Sequence, residues 1–295
     1  MRRLRVKRAG FATGQLLLML PAIVLLLALS IIPLGIALVW SFWRWDPSIY
    51  WIVPDLSPDA YIALFTTGRV DVLLRTVMLA LIAASLSVVL GFPIAYYLYR
   101  VATPRSRTVF LLLFIIPFLT SFIIRTFSWR FVLGRHGIIN NLLLSLGLID
   151  EPIEWLLFSD FAVEIGLLAS YFPFVIFPIL LALYRVDANL LHASRDLGAG
   201  FWTTLRLVVL PLTLPGISAG FLFVFVLALG SSVEVQLLGG AGASMIAIMI
   251  DDVMRVLNFP LAFAIASTVA AALVLLLYVG NRFLGLSRLF QHFSW

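Results

Sequence analysis

Between Arg8 and Arg44 no residue carries a charge. A helix crossing the hydrocarbon core of a bilayer needs about 20 mostly apolar residues, and this run exceeds that without interruption. Five further stretches come close to it with one charged residue each. Together the six run roughly over 15–40, 72–99, 108–128, 161–184, 213–236 and 260–284. In hydrocarbon every backbone N–H and C=O must be bonded within its own segment, so such stretches are predicted to be helices. The expected fold class is all-α, a polytopic membrane protein with six transmembrane helices. Composition agrees: 63% of residues are hydrophobic and 12% charged, whereas a soluble chain is about half apolar and about a quarter charged.

The first helix follows a basic cluster of Arg2, Arg3, Arg5, Lys7 and Arg8. A secretory signal also begins basic and turns apolar, but its apolar region is about 7–15 residues. A run reaching Trp40 predicts an uncleaved helix. With six spans both termini share one side of the membrane. That side carries the N-terminal cluster, Arg100, Arg105, Arg107, Arg185, Arg195, Arg206, Arg282 and Arg288, against the acids Asp187 and Asp196. The other side carries most of the acidic residues, among them Asp46, Asp55, Asp150, Glu151, Asp160, Asp251 and Asp252. Basic loops stay in the cytoplasm, so both termini are expected there.

Several chemistries are excluded. With no cysteine there are no disulfides, thiolate metal sites or cysteine nucleophiles. The one lysine is Lys7, so no Gly-Lys-Ser/Thr phosphate loop exists and the chain cannot turn over ATP by that route. His136, His192 and His292 are scattered, without metal spacing, so no metal site is expected. The net charge of +6 is spread over segment ends rather than along one stripe, which fits membrane topology and not nucleic acid.

The loop from Arg44 to Asp71 contains Pro47, Pro54 and Pro58 and is expected to be irregular, with Trp40, Trp43, Trp45 and Trp51 at headgroup level. Gly137–Leu148 reads as a short re-entrant or interfacial helix, and Asp150–Pro152 as a turn. No internal repeat is evident. The division expected is an accessory part, 1–71, with the first helix and the loop after it; a five-helix core, 72–285; and a tail, 286–295.

The most informative segment joins the fourth and fifth spans, Asp187–Pro215. Asp187 is placed to cap a helix, and Leu190, Leu191, Ser194 and Leu197 share one face at the 3.6 period. Gly198 and Gly200 provide a stop and a turn. Phe201, Trp202, Leu205, Val208 and Val209 form a second amphipathic stretch, and Pro211 and Pro215 limit helix continuation into the fifth span. The product is a helix–turn–helix with an exposed apolar tip, Leu197–Trp202. By amphipathicity alone it lies on the membrane surface or docks in a partner's groove.

The segment resembles the EAA loop of bacterial binding-protein-dependent (MetI-like, type I) ABC importer permeases: Glu-Ala-Ala, three residues, Gly, nine residues, Ile, one residue, Leu-Pro. Here His192, Ala193 and Ser194 are followed by Gly198, Val208, Leu210 and Pro211 at those spacings, with His192, Ser194 and Val208 as departures. Pro117–Asn141, Leu144–Pro152, Phe161–Pro178 and Ala228–Gly240 are similar to spermidine/putrescine permeases of the PotB type. The resemblance implies a type I permease fold in the bacterial inner membrane, with 72–285 the permease domain and 187–211 its ATPase-coupling loop. It assigns the contact to Leu197, Gly198, Ala199, Gly200 and Phe201, with Asp196 beside them. The partners it implies are a homologous permease subunit, a dimer of separate ABC ATPases that bind the ATP, an extracytoplasmic solute-binding protein and membrane lipid. No cofactor is expected on this chain. A polyamine is the expected substrate, with another small solute as the alternative.

Where that family often has Thr-Pro before a Leu-Leu-Gly-Gly turn, this chain has Glu234 and Val235. Two readings fit Glu234, near Ser231, Ser232 and Gln236: a pathway group for a cationic solute, or an interfacial residue satisfied by water or by an arginine such as Arg125. Ser231, Gln236 and Tyr171 are the other pathway candidates. Glu164 is expected to cap the fourth span, Arg125 to reach the interface, and Asp251 and Asp252 to be a solvated or docking surface. Pro173 and Pro178 kink or unwind the fourth span, and Gly216 with Gly220 marks close helix packing. A stand-alone secondary transporter would show paired broken helices in inverted repeats. A membrane enzyme would cluster its histidines and carboxylates at one depth. Neither pattern is found.

Overall fold

The computed structural model describes residues 9–240 and 243–284. The basic cluster before Ala9 and the tail with Arg288 and His292 lie outside the described residues. Helix α1 (Ala9–Trp40) is followed by strands β1 (Trp43–Asp46) and β2 (Trp51–Leu56) and helix α2 (Asp59–Thr66). Next come α3 (Arg69–Arg100), α4 (Pro104–Leu119), α5 (Phe122–Leu133), α6 (Ile138–Ser145), α7 (Asp160–Tyr171) and α8 (Pro173–Leu183). Then follow α9 (Ala188–Asp196), α10 (Phe201–Thr204), α11 (Leu210–Leu229), α12 (Val233–Leu238), α13 (Ile246–Arg255) and α14 (Phe259–Leu284). Among the described residues four helices are long and apolar enough to cross a membrane, and six spans result when each of two bent pairs counts as one. The expected all-α membrane architecture is therefore observed, with four to six candidate spans.

The chain forms two compact units. One comprises the residues up to Thr67 together with Val253–Val269. Its long helix α1 exposes nearly every side chain from Met19 to Val39. The loop after it is not irregular as the prolines led us to expect. Its strands pair antiparallel, Arg44 with Val53, Trp45 with Ile52 and Asp46 with Trp51. Trp, Ile and Val favour the pleated ribbon, Pro54 lies in a ribbon whose strands are both edges, and Pro47 sits in the turn. The Asp46 carboxylate accepts from the Ser48 amide at 2.8 Å and the Ser48 hydroxyl at 2.6 Å, which holds it below the usual carboxylate range. Trp40 stacks on Trp43 and meets Phe263, and Trp51 meets Phe259 edge-on.

The other unit comprises Gly68–Asp252 and the residues from Ala270 on. Lipid is as apolar as leucine, so its helices are held by close packing rather than by the hydrophobic effect. The sequence supplies the small residues this needs: Ala80, Ala83, Ala84 and Ala95 of α3 are all completely buried. Gly216 and Gly220 set α11 directly against α8. A Cβ on Gly220 would lie 2.8 Å from Val175 Cγ2 and 3.0 Å from the Val175 carbonyl oxygen. Around these contacts Leu98, Ile176, Ile179, Leu183 and Phe225 fill the core.

The third and fifth spans differ from expectation, while the fourth bends where its prolines were expected to kink it. The third, expected as one helix over 108–128, breaks at Thr120–Ser121, and the chain runs on in α5 to Leu133. Pro117 sits in the last turn of α4, and Thr120 and Ser121 are extended, at ψ 151° and 130°. The fourth bends by 48° where α7 passes to α8 at Pro173. The fifth starts earlier, because Pro211 and Pro215 do not stop it. A π-helical turn over Leu205–Val209 joins α10 to α11, with the Leu210 amide donating to the Leu205 carbonyl. The wider turn shifts the hydrogen-bond register just before Pro211, which has no donor to place. Phe201–Leu229 is thus one helix of 29 residues.

The buried Asn140 of α6 donates to the carbonyls of Gly134 and Ile153 and accepts from the Ile153 amide at 2.8 Å, which fixes the segment between α5 and α7. Helix α13, not foreseen in the sequence, buries Ile246, Met249 and Val253 and exposes Asp251 and Asp252. Its first amide donates to Thr76 Oγ1 of α3 at 2.9 Å.

Candidate functional site

The first site is the segment between α8 and α11. Asp187 caps α9, its carboxylate accepting from the Asn189 amide at 2.9 Å. The helix stops at Gly198, which adopts φ +77°. The Gly198 amide donates to the Arg195 carbonyl and the Ala199 amide to the Ser194 carbonyl, the paired bonds of a Schellman stop. A left-handed residue with a Cβ costs about 1 kcal/mol there, so glycine suits the position. Ser194 and Thr204 bond across the turn at 2.9 Å. The tip is strongly exposed: Leu197 is 88% and Trp202 76% accessible, with His192, Ala193, Asp196, Gly200 and Phe201 also exposed.

Two tyrosines one turn apart on α3 hold both arms of this loop. Tyr99 Oη donates to the Val186 carbonyl at 3.2 Å, just before the Asp187 cap. The Tyr96 ring meets Phe201 edge-on at 6.0 Å. Arg107 of α4 closes the end of α3, donating to the carbonyls of Leu98 and Tyr99 and lying over the Tyr184 ring. Leu210 and Pro211 are not at the tip. They line an apolar groove of about 590 Å³ with Val88, Val89, Phe92 and Pro93 of α3.

The second site gathers polar groups inside the bundle. The α11 helix ends at Leu229, and α12 begins after Gly230, Ser231 and Ser232. Glu234 is wholly inaccessible. Its Oε2 accepts a hydrogen bond from Ser231, while Oε1 has no hydrogen-bond partner among the described residues. Tyr171, at the end of α7, lies within electrostatic reach of Ser231, Glu234 and Arg125. Gly166 lets α12 approach, since a Cβ there would stand 3.2 Å from Glu234 Cγ. Of the pathway candidates, Tyr171, Ser231 and Glu234 are brought together. Gln236 is exposed because two residues along a helix turn a side chain by about 200°.

The Arg125 guanidinium donates to the Pro117 carbonyl at 2.8 Å and lies over the Phe122 ring, drawn to a carbonyl in the last turn of the interrupted α4. One expectation is corrected. Glu164 does not cap α7, because Ser159 does, accepting from the Ala162 amide at 3.2 Å. Both carboxylate oxygens of Glu164 are buried with no hydrogen-bond partner among the described residues. No group of three or more His, Cys, Asp or Glu side chains among the described residues is arranged to hold a metal ion.

No protein-family model matches the chain. A chain in the crystal structure of a bacterial alginate ABC transporter, in complex with an alginate pentasaccharide-bound periplasmic protein, shares the fold. Its TM-score is 0.66 at 20% identity, covering 94% of this chain and 95% of that one. The spermidine/putrescine transport system permease protein PotB of Haemophilus influenzae is 32% identical over 253 residues, 85% of this chain and 87% of that protein. Its namesake from Escherichia coli strain K12 is 36% identical over 223 residues, 75% of this chain and 80% of the relative. The chain belongs to the PotB-like family of ABC transporter permeases.

In this permease the sequence pattern located the loop and Glu234 but missed the link between them. Phe201–Leu229 runs from the exposed tip to the residue before the Gly230 break, five positions short of Glu234. The partner of Asp160 was also missed: Arg75 of α3 holds it at 2.5 Å. A helical wheel of α7 places Asp160, Glu164 and Tyr171 on one face and was the available signal for that row.

Proposed function

We propose that this permease forms half of the translocation pathway of an ABC importer for organic cations of the polyamine class. The observation that carries the substrate class is Glu234. It is a wholly buried carboxylate with one oxygen that has no partner among the described residues, beside Tyr171 and Ser231, and an intramembrane carboxylate of this kind marks a path for cations. The names of the PotB relatives, spermidine/putrescine permeases, point the same way. In this reading residues 72–285 are the permease domain, paired with a homologous permease subunit. The termini face the cytoplasm, where the basic loops stay. A solute-binding protein delivers the cation to the opposite, acidic face.

The energy comes from elsewhere. A chain whose one lysine is Lys7 has no phosphate-binding loop, so ATP is bound by a separate ATPase seated on the 187–211 loop. Leu197 and Trp202, projecting from a rigid Schellman stop, are the contact the ATPase buries. The assignment is tested by co-expression with the ATPase encoded beside this gene. Affinity purification through the permease should recover the ATPase from wild type, and Leu197→Asp should reduce recovery about tenfold or more, as loss of a central apolar anchor does. Undiminished recovery would remove the loop from the interface. Uptake of radiolabelled putrescine and spermidine into proteoliposomes holding the complete transporter tests the substrate. Transport of a neutral or anionic solute alone would overturn the cationic class.

A further inference from the structure

The apolar groove between α3 and α11 has no part in either the loop tip or the Glu234 cluster. One wall is Val88, Val89, Phe92 and Pro93, and the other is Leu210, Pro211, Leu214 and Ile217. Every lining side chain is hydrocarbon, so a polar ligand finds no side-chain donor or acceptor inside to fix it. Val89, Pro93, Pro211 and Leu214 are exposed, and beside a membrane span the medium they face is lipid. A groove of this chemistry takes an acyl chain.

Charge at one end distinguishes it from an ordinary furrow facing hydrocarbon. Arg206 is the one charged residue between Phe201 and Leu229. It stands on the π-helical turn, one turn before Leu210 of the groove wall. In α3 no charge follows Arg75 until Arg100. Arg100 lies two turns beyond Pro93 and within about 20° of it around the helix. The two walls stay together up to this end: Tyr96, stacked on Phe92 of the groove, meets the Phe201 ring edge-on at 6.0 Å. Both arginines are exposed, and neither makes an ion pair among the described residues. The nearest acids in sequence to Arg206, Asp187 and Asp196, lie at the two ends of α9, where Asp187 already caps the helix. Topology alone accounts for an arginine at the end of α3. It does not account for one inside a continuous helix and in line with the same furrow. A guanidinium pairs with phosphate oxygens in bidentate fashion, and basic positions between spans attract anionic headgroups.

We propose that the groove binds an anionic phospholipid, with one acyl chain lying between α3 and α11 and the phosphate held at Arg206 and Arg100. This inference goes beyond the importer reading and does not depend on the solute. It places a lipid phosphate against the π turn, where the 187–211 loop joins the spans.

The test uses the complete transporter in phosphatidylcholine vesicles carrying a trace of one photoactivatable lipid. That lipid is phosphatidylglycerol or phosphatidylcholine, with the same diazirine in the same acyl chain. Peptide mass spectrometry after illumination locates the adducts. Phosphatidylglycerol should label segments 88–93 and 210–217 about tenfold or more above phosphatidylcholine, since each basic residue at a membrane surface favours an anionic lipid about fivefold. Arg206→Gln should cut that preference about fivefold, and Arg206→Lys should keep most of it. Arg100→Gln combined with Arg206→Gln should bring it to the phosphatidylcholine level. Leu214→Trp, which fills the groove and leaves both arginines in place, should remove labelling of both segments by either lipid. Equal labelling by the two lipids in wild type would make the groove a nonspecific furrow and overturn the proposal. No labelling by either would put a protein partner over the groove and also overturn it. So would a preference that survives both glutamines. Loss of ATPase recovery in Arg206→Gln with the lipid preference unchanged would assign Arg206 to the ATPase contact instead, with the same consequence.

Discussion

Glu234 and Ser231 behave as one unit, because the hydroxyl spends its proton on Oε2 and leaves Oε1 as the group with unused capacity. Glu234→Gln keeps the shape and removes the charge. It is expected to reduce polyamine uptake by the complete transporter about tenfold or more, the scale of losing one buried charge partner, with ATPase assembly unaffected. Uptake at the wild-type rate and affinity would return Glu234 to a structural role. Sequence reading reached this residue because a carboxylate late in an apolar stretch is conspicuous. It went wrong at Glu164, because linear distance stands in poorly for helical angle. Glu164 sits close enough to the start of α7 to resemble a cap, and only the structure shows Ser159 already in that place. Gln236 is two residues from Glu234 and faces away.

Among the elements, α3 packs on α8 and α11 through small residues and holds both arms of the 187–211 loop with Tyr96 and Tyr99. If the loop is where the ATPase pushes, these tyrosines carry the displacement into the bundle. Tyr99→Phe removes the bond to the Val186 carbonyl and little else. It is expected to leave ATPase recovery intact while lowering solute transported per ATP hydrolysed several-fold, read from paired uptake and phosphate-release assays. A wild-type ratio would place the transmission elsewhere. The same scale shows where prolines mislead. Pro47 and Pro54 sit in and around a hairpin, and Pro211 is absorbed by a π turn. Pro117 and Pro173 lie where spans break or bend. Local sequence says that a proline lacks a donor but not whether the fold has a place for that lack. The apolar runs, by contrast, were legible because lipid allows their backbones one solution.

For the whole molecule, sidedness is the property to measure, and the chain is well suited to it because it contains no cysteine. Leu197→Cys and Asp150→Cys, each made singly, should be labelled by a membrane-impermeant maleimide from opposite faces: Asp150→Cys in intact spheroplasts and Leu197→Cys only in inverted vesicles. Labelling of both from one face would refute the six-span orientation. The helix Phe201–Leu229 gives this sidedness a mechanical meaning. At about 1.5 Å per residue it is a strut of roughly 40 Å, whose π turn adjusts register without opening a joint. One end is the surface the ATPase is proposed to grip, and the other is the residue before the break that leads to Glu234. In the proposed transporter, a strut that does not yield in its middle would make closing the nucleotide machinery and re-aiming the solute site two views of a single displacement, leaving little room to spend ATP without moving the cargo.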